Sequence, residues 1–208
     1  MNIFKKLKYF IQQVTVDQTS PSLTIKELKC IQKYYEIQID PDQLFEIIQI
    51  VRPPVNFLIF GTGHDSAFWV KRNLGGRTVF IEDNPQWFDM IKRQNPRIEA
   101  YLVNYNTKRT DWKMYLQHPL KLQMELPTAI SETKWDVILV DAPNGFRDDH
   151  PGRMKSIYMT SRLIKPGGHI FLHDCDREIE QRFGDRFLGT RNLINQTGPR
   201  VLRHYQMS

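Results

Sequence analysis

With 208 residues, 40% hydrophobic and 25% charged, and a formal net charge of +6, the chain has the size and composition of one globular domain with a substantial core. No apolar run is long enough to span a bilayer, and the two cysteines, Cys30 and Cys175, exclude a disulfide framework and a structural zinc site. The basic excess sits at the two ends: six basic against two acidic residues in 1–34, twelve against fourteen in 35–144, and eleven against seven in 145–208.

No lysine/arginine block carries interleaved aromatics, so a nucleic-acid partner is not expected. Two lone thiols suit a reducing, cytoplasmic setting. The start of the chain, Met1 to Val14, alternates Lys5, Lys6 and Lys8 with Phe4, Leu7, Phe10 and Ile11, as in a short amphipathic helix. It has no apolar run with a small-residue cleavage site, so a secretory signal is not expected.

The pattern predicts helices at about 3–14, 24–36 and 41–50. Thr24 with Glu27 makes a capping box, and Asp40 before Pro41 a cap with proline at the first helical position. Arg52-Pro53-Pro54 ends this stretch, and 1–52 reads as a helical N-terminal extension to a domain of 53–208. Strands then alternate with helices: strand 55–60, helix 64–74, strand 77–82, helix 85–94, strand 97–103 and helix 107–117. An ambiguous stretch runs to Thr133. Strand 135–141, helix 152–163, strand 169–173 and helix 176–183 come next, with weaker strands near 186–194 and 200–206. This alternation implies an α/β, doubly wound, mostly parallel seven-stranded sheet of Rossmann-like type.

In such sheets ligands bind beyond the carboxyl ends of the strands, where strand order reverses. After the first strand comes Gly61-Thr62-Gly63-His64-Asp65-Ser66, a turn that lets a ligand approach backbone. Ser66 stands where a dinucleotide fingerprint has its third glycine. Glu82 closes the second strand, 21 residues after Gly61, where a carboxylate can accept both hydroxyls of a nucleoside ribose. Asp141 closes the fourth strand and His173-Asp174 the fifth, at the same edge of the sheet. The loop from Asn144 to Met154 lies over the cleft, and its Arg153 is a candidate bidentate clamp for a carboxylate.

The turn Lys165-Pro166-Gly167-Gly168 ahead of the fifth strand is of a kind that recurs in class I methyltransferases. The strings FLIFGTGHDSAFW, GGRTVFIEDNPQW, WDVILVDAPNGF, PGRMKSIY and HDCDREIE together resemble the plant glucuronoxylan 4-O-methyltransferase family and its irregular-xylem relatives, over roughly 55–206. The resemblance implies S-adenosylmethionine as methyl donor and a 4-O-methyl ether of glucuronic acid as product. In the plant proteins the acceptor is a xylan side chain. No N-terminal membrane anchor like theirs is expected here, and the chain is expected to start with its own helical extension, so another uronic-acid glycan or glycoside is equally compatible.

On that footing Gly61, Gly63 and Glu82 are expected to hold the donor, with Asp65, Ser66 and Asp141 in supporting contact. Asp141, His173 and Asp174 are unranked candidates for proton removal. Alternatively, Asp141 and Asp174 share a divalent cation through hard oxygen ligands. Arg153, with Arg147 and His150, is expected to hold the uronate carboxylate. Two other readings stay open: a nicotinamide-dependent oxidoreductase on the same sheet, and a non-catalytic glycan-binding or scaffolding relative.

Overall fold

The structure, a computed structural model, describes residues 23–208; the helix expected at 3–14 lies outside them. Two helices come first, α1 (Ile25–Tyr35) and α2 (Pro41–Ile50). Thr24 and Glu27 close the expected capping box on α1, and Asp40 with Gln43 makes a second on α2. The sheet strands are β1 (Asn56–Phe60), β2 (Arg77–Glu82), β3 (Glu99–Leu102), β4 (Trp135–Val140), β5 (Ile164–Leu172), β6 (Leu193–Thr197) and β7 (Leu202–Gln206). Between them run α3 (Ser66–Arg72), α4 (Pro85–Gln94), α5 (Trp112–Gln117), α6 (Thr128–Ser131), α7 (Met154–Leu163) and α8 (Glu178–Phe183).

The strand order is β3-β2-β1-β4-β5-β7-β6. β1 to β5 are parallel, while β7 is antiparallel to both β5 and β6. The order reverses between β1 and β4, which sets the ligand crevice there. Alternate residues face opposite layers. Leu58, Phe60, Val79, Ile81, Ile138 and Val140 pack with Met154 and Ile157 of α7 and Phe183 of α8. Phe57, Ile59, Phe80, Val137 and Leu139 pack on the other face with Leu28 and Ile31 of α1, Leu44 and Ile47 of α2, and Trp69 of α3.

The described part of the N-terminal segment is therefore a covering layer of the sheet. Residues 25–51 share one continuous core with β1, β2 and β4, and no gap in packing sets them apart as a separate unit. Three details differ from the sequence expectation. The stretch 186–192 is not strand: residues 184–189 form a π-type turn and 190–192 a 3-10 turn, because Phe183 and Leu188 continue the buried face of α8. β5 begins at Ile164, which pairs with Trp135, and the Pro-Gly-Gly turn is an irregularity inside the strand, where Gly167 adopts φ +75°. The ambiguous stretch holds a 3-10 turn (Pro119–Leu122) and α6, and Trp135 donates its indole N–H to the carbonyl of Ile130 there. Among the described residues no helix is long and apolar enough to cross a membrane.

A partly buried polar chain ties the N-terminal layer to β5 and β7. His169 Nδ1 lies 2.9 Å from His204 Nε2, and His204 Nδ1 lies 2.9 Å from Glu46 Oε1 on α2. Burial and the neighbouring His204 charge lower the pKa of His169. Burial pushes the Glu46 carboxyl up, but the hydrogen bonds from His204 and Thr197 outweigh it and hold the pKa below its ordinary value. Both groups bind protons less readily folded than unfolded. Their stabilisation is thus present at neutral pH and lost as pH falls, first through His169 and then through Glu46. The melting temperature is expected to drop between pH 7.5 and pH 5, and His169→Gln to flatten that drop in scanning calorimetry. An unchanged slope in the variant would refute the assignment.

Candidate functional site

The carboxyl ends of β1, β2, β4 and β5 border one cavity of about 480 Å³. Its lining runs from the Gly61–Asp65 turn and Glu82 on one side to Asp141, His173 and Asp174 on the other. The turn is built for close approach. Gly61 has φ +116°, and a Cβ there would press on the Ala142 Cβ at 3.0 Å. At Gly63 an added Cβ would collide with the Asp65 carboxylate.

Ser66 is fully buried, and its Oγ accepts the Gly63 N–H at 3.0 Å, so it pins the turn and does not reach the cavity. Asp65 accepts the Trp69 indole N–H at 2.9 Å and borders the cavity. Burial raises its carboxyl to about 6, the Trp69 bond only partly offsetting it. Asp83 is likewise raised to about 6, by burial and then by the adjacent Glu82.

Glu82 is buried and fully engaged. Oε2 accepts the Thr62 N–H (2.8 Å) and hydroxyl (2.7 Å), and Oε1 the N–H groups of Asp83 (3.0 Å) and Asn84 (2.9 Å). Four donors fill the carboxylate's lone-pair positions. Of the four donors only the Thr62 hydroxyl is on a rotatable side chain. Trp87 closes this wall, donating its indole N–H to the Thr62 carbonyl at 2.6 Å, with His64 edge-on to its ring.

On the other side, Arg153 organises the cluster. Its guanidinium donates to the His173 carbonyl (2.6 Å), the Asp141 carbonyl (2.6 Å) and Asp141 Oδ1 (3.1 Å), and pairs with Asp174 Oδ2 at 2.7 Å. His173 Nδ1 stands 2.8 Å from Asp141 Oδ1. Burial pushes the Asp141 carboxyl up, but His173 and Arg153 prevail and hold its pKa below the usual carboxylate range. Asp141 has a 35% exposed side chain, against 3% for His173 and 6% for Asp174, so it alone of the three presents an open face to an acceptor.

Arg153 is therefore not the expected clamp: its side chain is 5% exposed and its charge is spent on the two aspartates. Arg147 and His150, unlike Arg153, do not border the cavity. Arg147 is exposed and paired with Asp149 at 3.2 Å, and His150 Nδ1 accepts the Arg147 N–H at 3.3 Å. Polar residues of an exposed loop satisfy one another there. Sequence reasoning missed Phe146, Arg177 and Arg200, which do border the cavity. Phe146 and Arg177 sit inside the strings already singled out, and Arg200 falls in the basic C-terminal excess.

Asp141, His173 and Asp174 offer three potential ligand atoms within 4.8 Å of one another. A divalent ion at that point would have to displace the Arg153 guanidinium, which already supplies the positive charge between the carboxylates. The arrangement as it stands does not fit a metal.

The family model for IRX15/IRX15L/GXM matches residues 42–120 and 113–205. The chain belongs to that family. Among the curated relatives, glucuronoxylan 4-O-methyltransferase 1 of Arabidopsis thaliana is 40% identical over 175 residues, covering 74% of this chain and 61% of the relative. Arabinogalactan O-methyltransferase 2 of the same plant is 34% identical over 203 residues, covering 83% and 70%. The chain thus spans about three fifths of the length of the first of these relatives. Among solved structures, a TehB-like SAM-dependent methyltransferase from Corynebacterium glutamicum aligns over all of both chains with a TM-score of 0.52 at 13% identity. The family member described here has the class I methyltransferase fold, as its strand order also requires.

Arg153→Met removes the guanidinium that bridges Asp141 and Asp174, leaving Asp174 with the partly exposed Arg177. Removing one partner of such a buried pair costs about 3–5 kcal/mol. Chemical denaturation should show a loss of that size, and a loss below about 1 kcal/mol would mean that Arg153 does not hold the two strand ends together.

Proposed function

We propose that this chain is an S-adenosylmethionine-dependent O-methyltransferase acting on a sugar hydroxyl, the 4-hydroxyl of a glucuronic acid residue in a glycan or glycoside. The observation that carries the reading is the electrostatic division of one cavity. Asp65, Glu82 and Asp83 make the β1–β2 side acidic, which suits a nucleoside carrying a sulfonium cation. The β4–β5 side presents an accessible carboxylate backed by His173 and Arg153. Membership of the family, and the names of relatives that methylate glucuronoxylan and arabinogalactan, support the same acceptor class.

The donor supplies an activated methyl group, transferred by in-line displacement to the sugar oxygen with release of the thioether. The residues must hold the hydroxyl in line with the sulfur–methyl bond and take up its proton. Asp141 serves both needs: Oδ1 is fixed by His173 and Arg153, and the exposed side of the carboxylate is left to the acceptor hydroxyl. The proton released on forming the ether passes to the exposed oxygen of the Asp141 carboxylate, while His173 Nδ1, 2.8 Å from Oδ1, keeps that carboxylate oriented. Asp174 does not touch the acceptor: it balances Arg153 and Arg177.

The dinucleotide reading loses support at the turn, where Ser66 occupies the Gly63 amide that a pyrophosphate would need. A non-catalytic relative is separated by turnover. With labelled donor and glucuronic-acid oligosaccharides, Asp141→Asn is expected to lower kcat by about a hundredfold or more, and His173→Gln by less. Normal turnover in both variants would dismiss this site.

The two carboxyls raised to about 6 add a pH signature. Below that pH they become neutral, so affinity for the cationic donor should fall between pH 7.5 and 5.5. Affinity for the thioether product, S-adenosylhomocysteine, which lacks the sulfonium charge, should fall less. Calorimetric titrations of both ligands across that range check this, and parallel pH profiles would contradict it.

A further inference from the structure

The β4–β5 side of the cavity carries more positive charge than it uses. Three guanidinium groups, Arg153, Arg177 and Arg200, border it with two carboxylates, Asp141 and Asp174. A third carboxyl, Glu180, lies buried behind them, and burial pushes its pKa up toward the neutral form. Arg153 is consumed by Asp141 and Asp174. Arg177 reaches Asp174 Oδ2 at 3.0 Å, but its NH1 stands 3.8 Å from Glu180, beyond hydrogen-bond range, and its side chain is 25% exposed. Arg200 gives one nitrogen to the Gln38 carbonyl at 2.7 Å, and its charge reaches Asp141 across the cavity.

Arg200 is also held in place from behind. Gln43 of α2, fully buried, donates from Nε2 to the carbonyls of Thr197 (2.7 Å) and Arg200 (2.8 Å). The β6–β7 turn fits over it only because residue 198 is glycine, with φ +79°; a Cβ there would come within 2.6 Å of that same Nε2. A guanidinium on so constrained a turn loses little freedom on binding a ligand. Phe146, which lines the same cavity, is 64% exposed, and its ring stands T-shaped to His150 at 4.4 Å.

We propose that Arg177 and Arg200 bind the carboxylate of the acceptor sugar while Phe146 packs against its ring, so that these three residues set the preference for an anionic acceptor. The proposal rests on the methyl-transfer reading above. It moves acceptor recognition away from Arg147, His150 and Arg153, and it makes the N-terminal layer part of the acceptor site through Gln38 and Gln43.

The test uses the full chain, a glucuronic-acid oligosaccharide and the same oligosaccharide with its carboxyl reduced to a primary alcohol. Arg200→Gln and Arg177→Gln are each expected to raise KM for the uronate acceptor about ten- to a hundredfold, the range for a lost charge-assisted hydrogen bond. They should change kcat far less and bring the uronate-to-neutral ratio of kcat/KM toward unity. Phe146→Ala should raise KM for both acceptors together. Affinity for S-adenosylhomocysteine should stay at the wild-type level in all three, which reports an intact fold. Arg200 lies on an exposed turn, so its variant decides the matter even where Arg177→Gln perturbs Asp174.

Unchanged KM for the uronate in Arg200→Gln overturns the proposal, as does an equal loss on the neutral acceptor. Direct titration of the glucuronic-acid oligosaccharide into wild type and variants separates the two readings. Saturable binding weakened by Arg200→Gln without methyl transfer to either acceptor sustains the anion site and dismisses the enzyme. Methyl transfer with binding indifferent to Arg200 does the reverse.

Discussion

The ends of β4 and β5 carry two aspartates and a histidine within a few ångströms of one another, and burying such a cluster without a counter-charge is strongly destabilising. Arg153 provides it. Its position at the start of α7 lets a single side chain reach backbone carbonyls on both strands as well as both carboxylates. A lysine could neutralise charge there but not satisfy four oxygens in two directions, since it lacks the planar fork of a guanidinium. The orientation of Asp141 toward the cavity, and the distance of His173 from it, follow from that one group.

With Arg153 spent on structure, the cavity separates its two chemical tasks by charge. The Gly61–Asp65 turn and the end of β2 gather carboxylates whose own repulsion is tolerated because two of them titrate near 6 and one, Glu82, is wrapped in four hydrogen-bond donors. Opposite them, arginines predominate. A cationic donor and an anionic acceptor, bound as proposed, would each meet the half of opposite charge, and the reverse arrangement would bring like charges together.

The sheet and its crevice were legible in the sequence because their signals are local. Apolar runs ending at Gly61, Glu82, Asp141 and His173 mark strand ends, and the caps at Thr24 and Asp40 mark helix starts to within a residue. The residues meeting in the site, Asp141, His173 and Asp174, were legible for the same reason, since each directly follows or closes a strand. What could not be read was which polar group satisfies which. An arginine in a loop looks the same whether it faces a substrate or an internal carboxylate, and only the packing of α7 against β4 and β5 assigns Arg153 to the second role. Arg200 was hidden for a different reason: its place depends on Gln43, more than 150 positions earlier, and no local pattern reports a contact of that span.

That span has a consequence for how the protein is made. During synthesis the strands β1 to β5 and their helices can assemble as they emerge, but the wall that includes Arg200 waits for residues 197–200 to meet an α2 formed far earlier. Contacts between positions so distant in the chain close late, because the loop entropy they must overcome is the largest in the fold. A nascent chain would therefore own the Gly61–Glu82 side of the cavity before it owned the Arg200 side, and for that interval α2, with Gln43 and Glu46 still unpaired, would be a surface open to a chaperone.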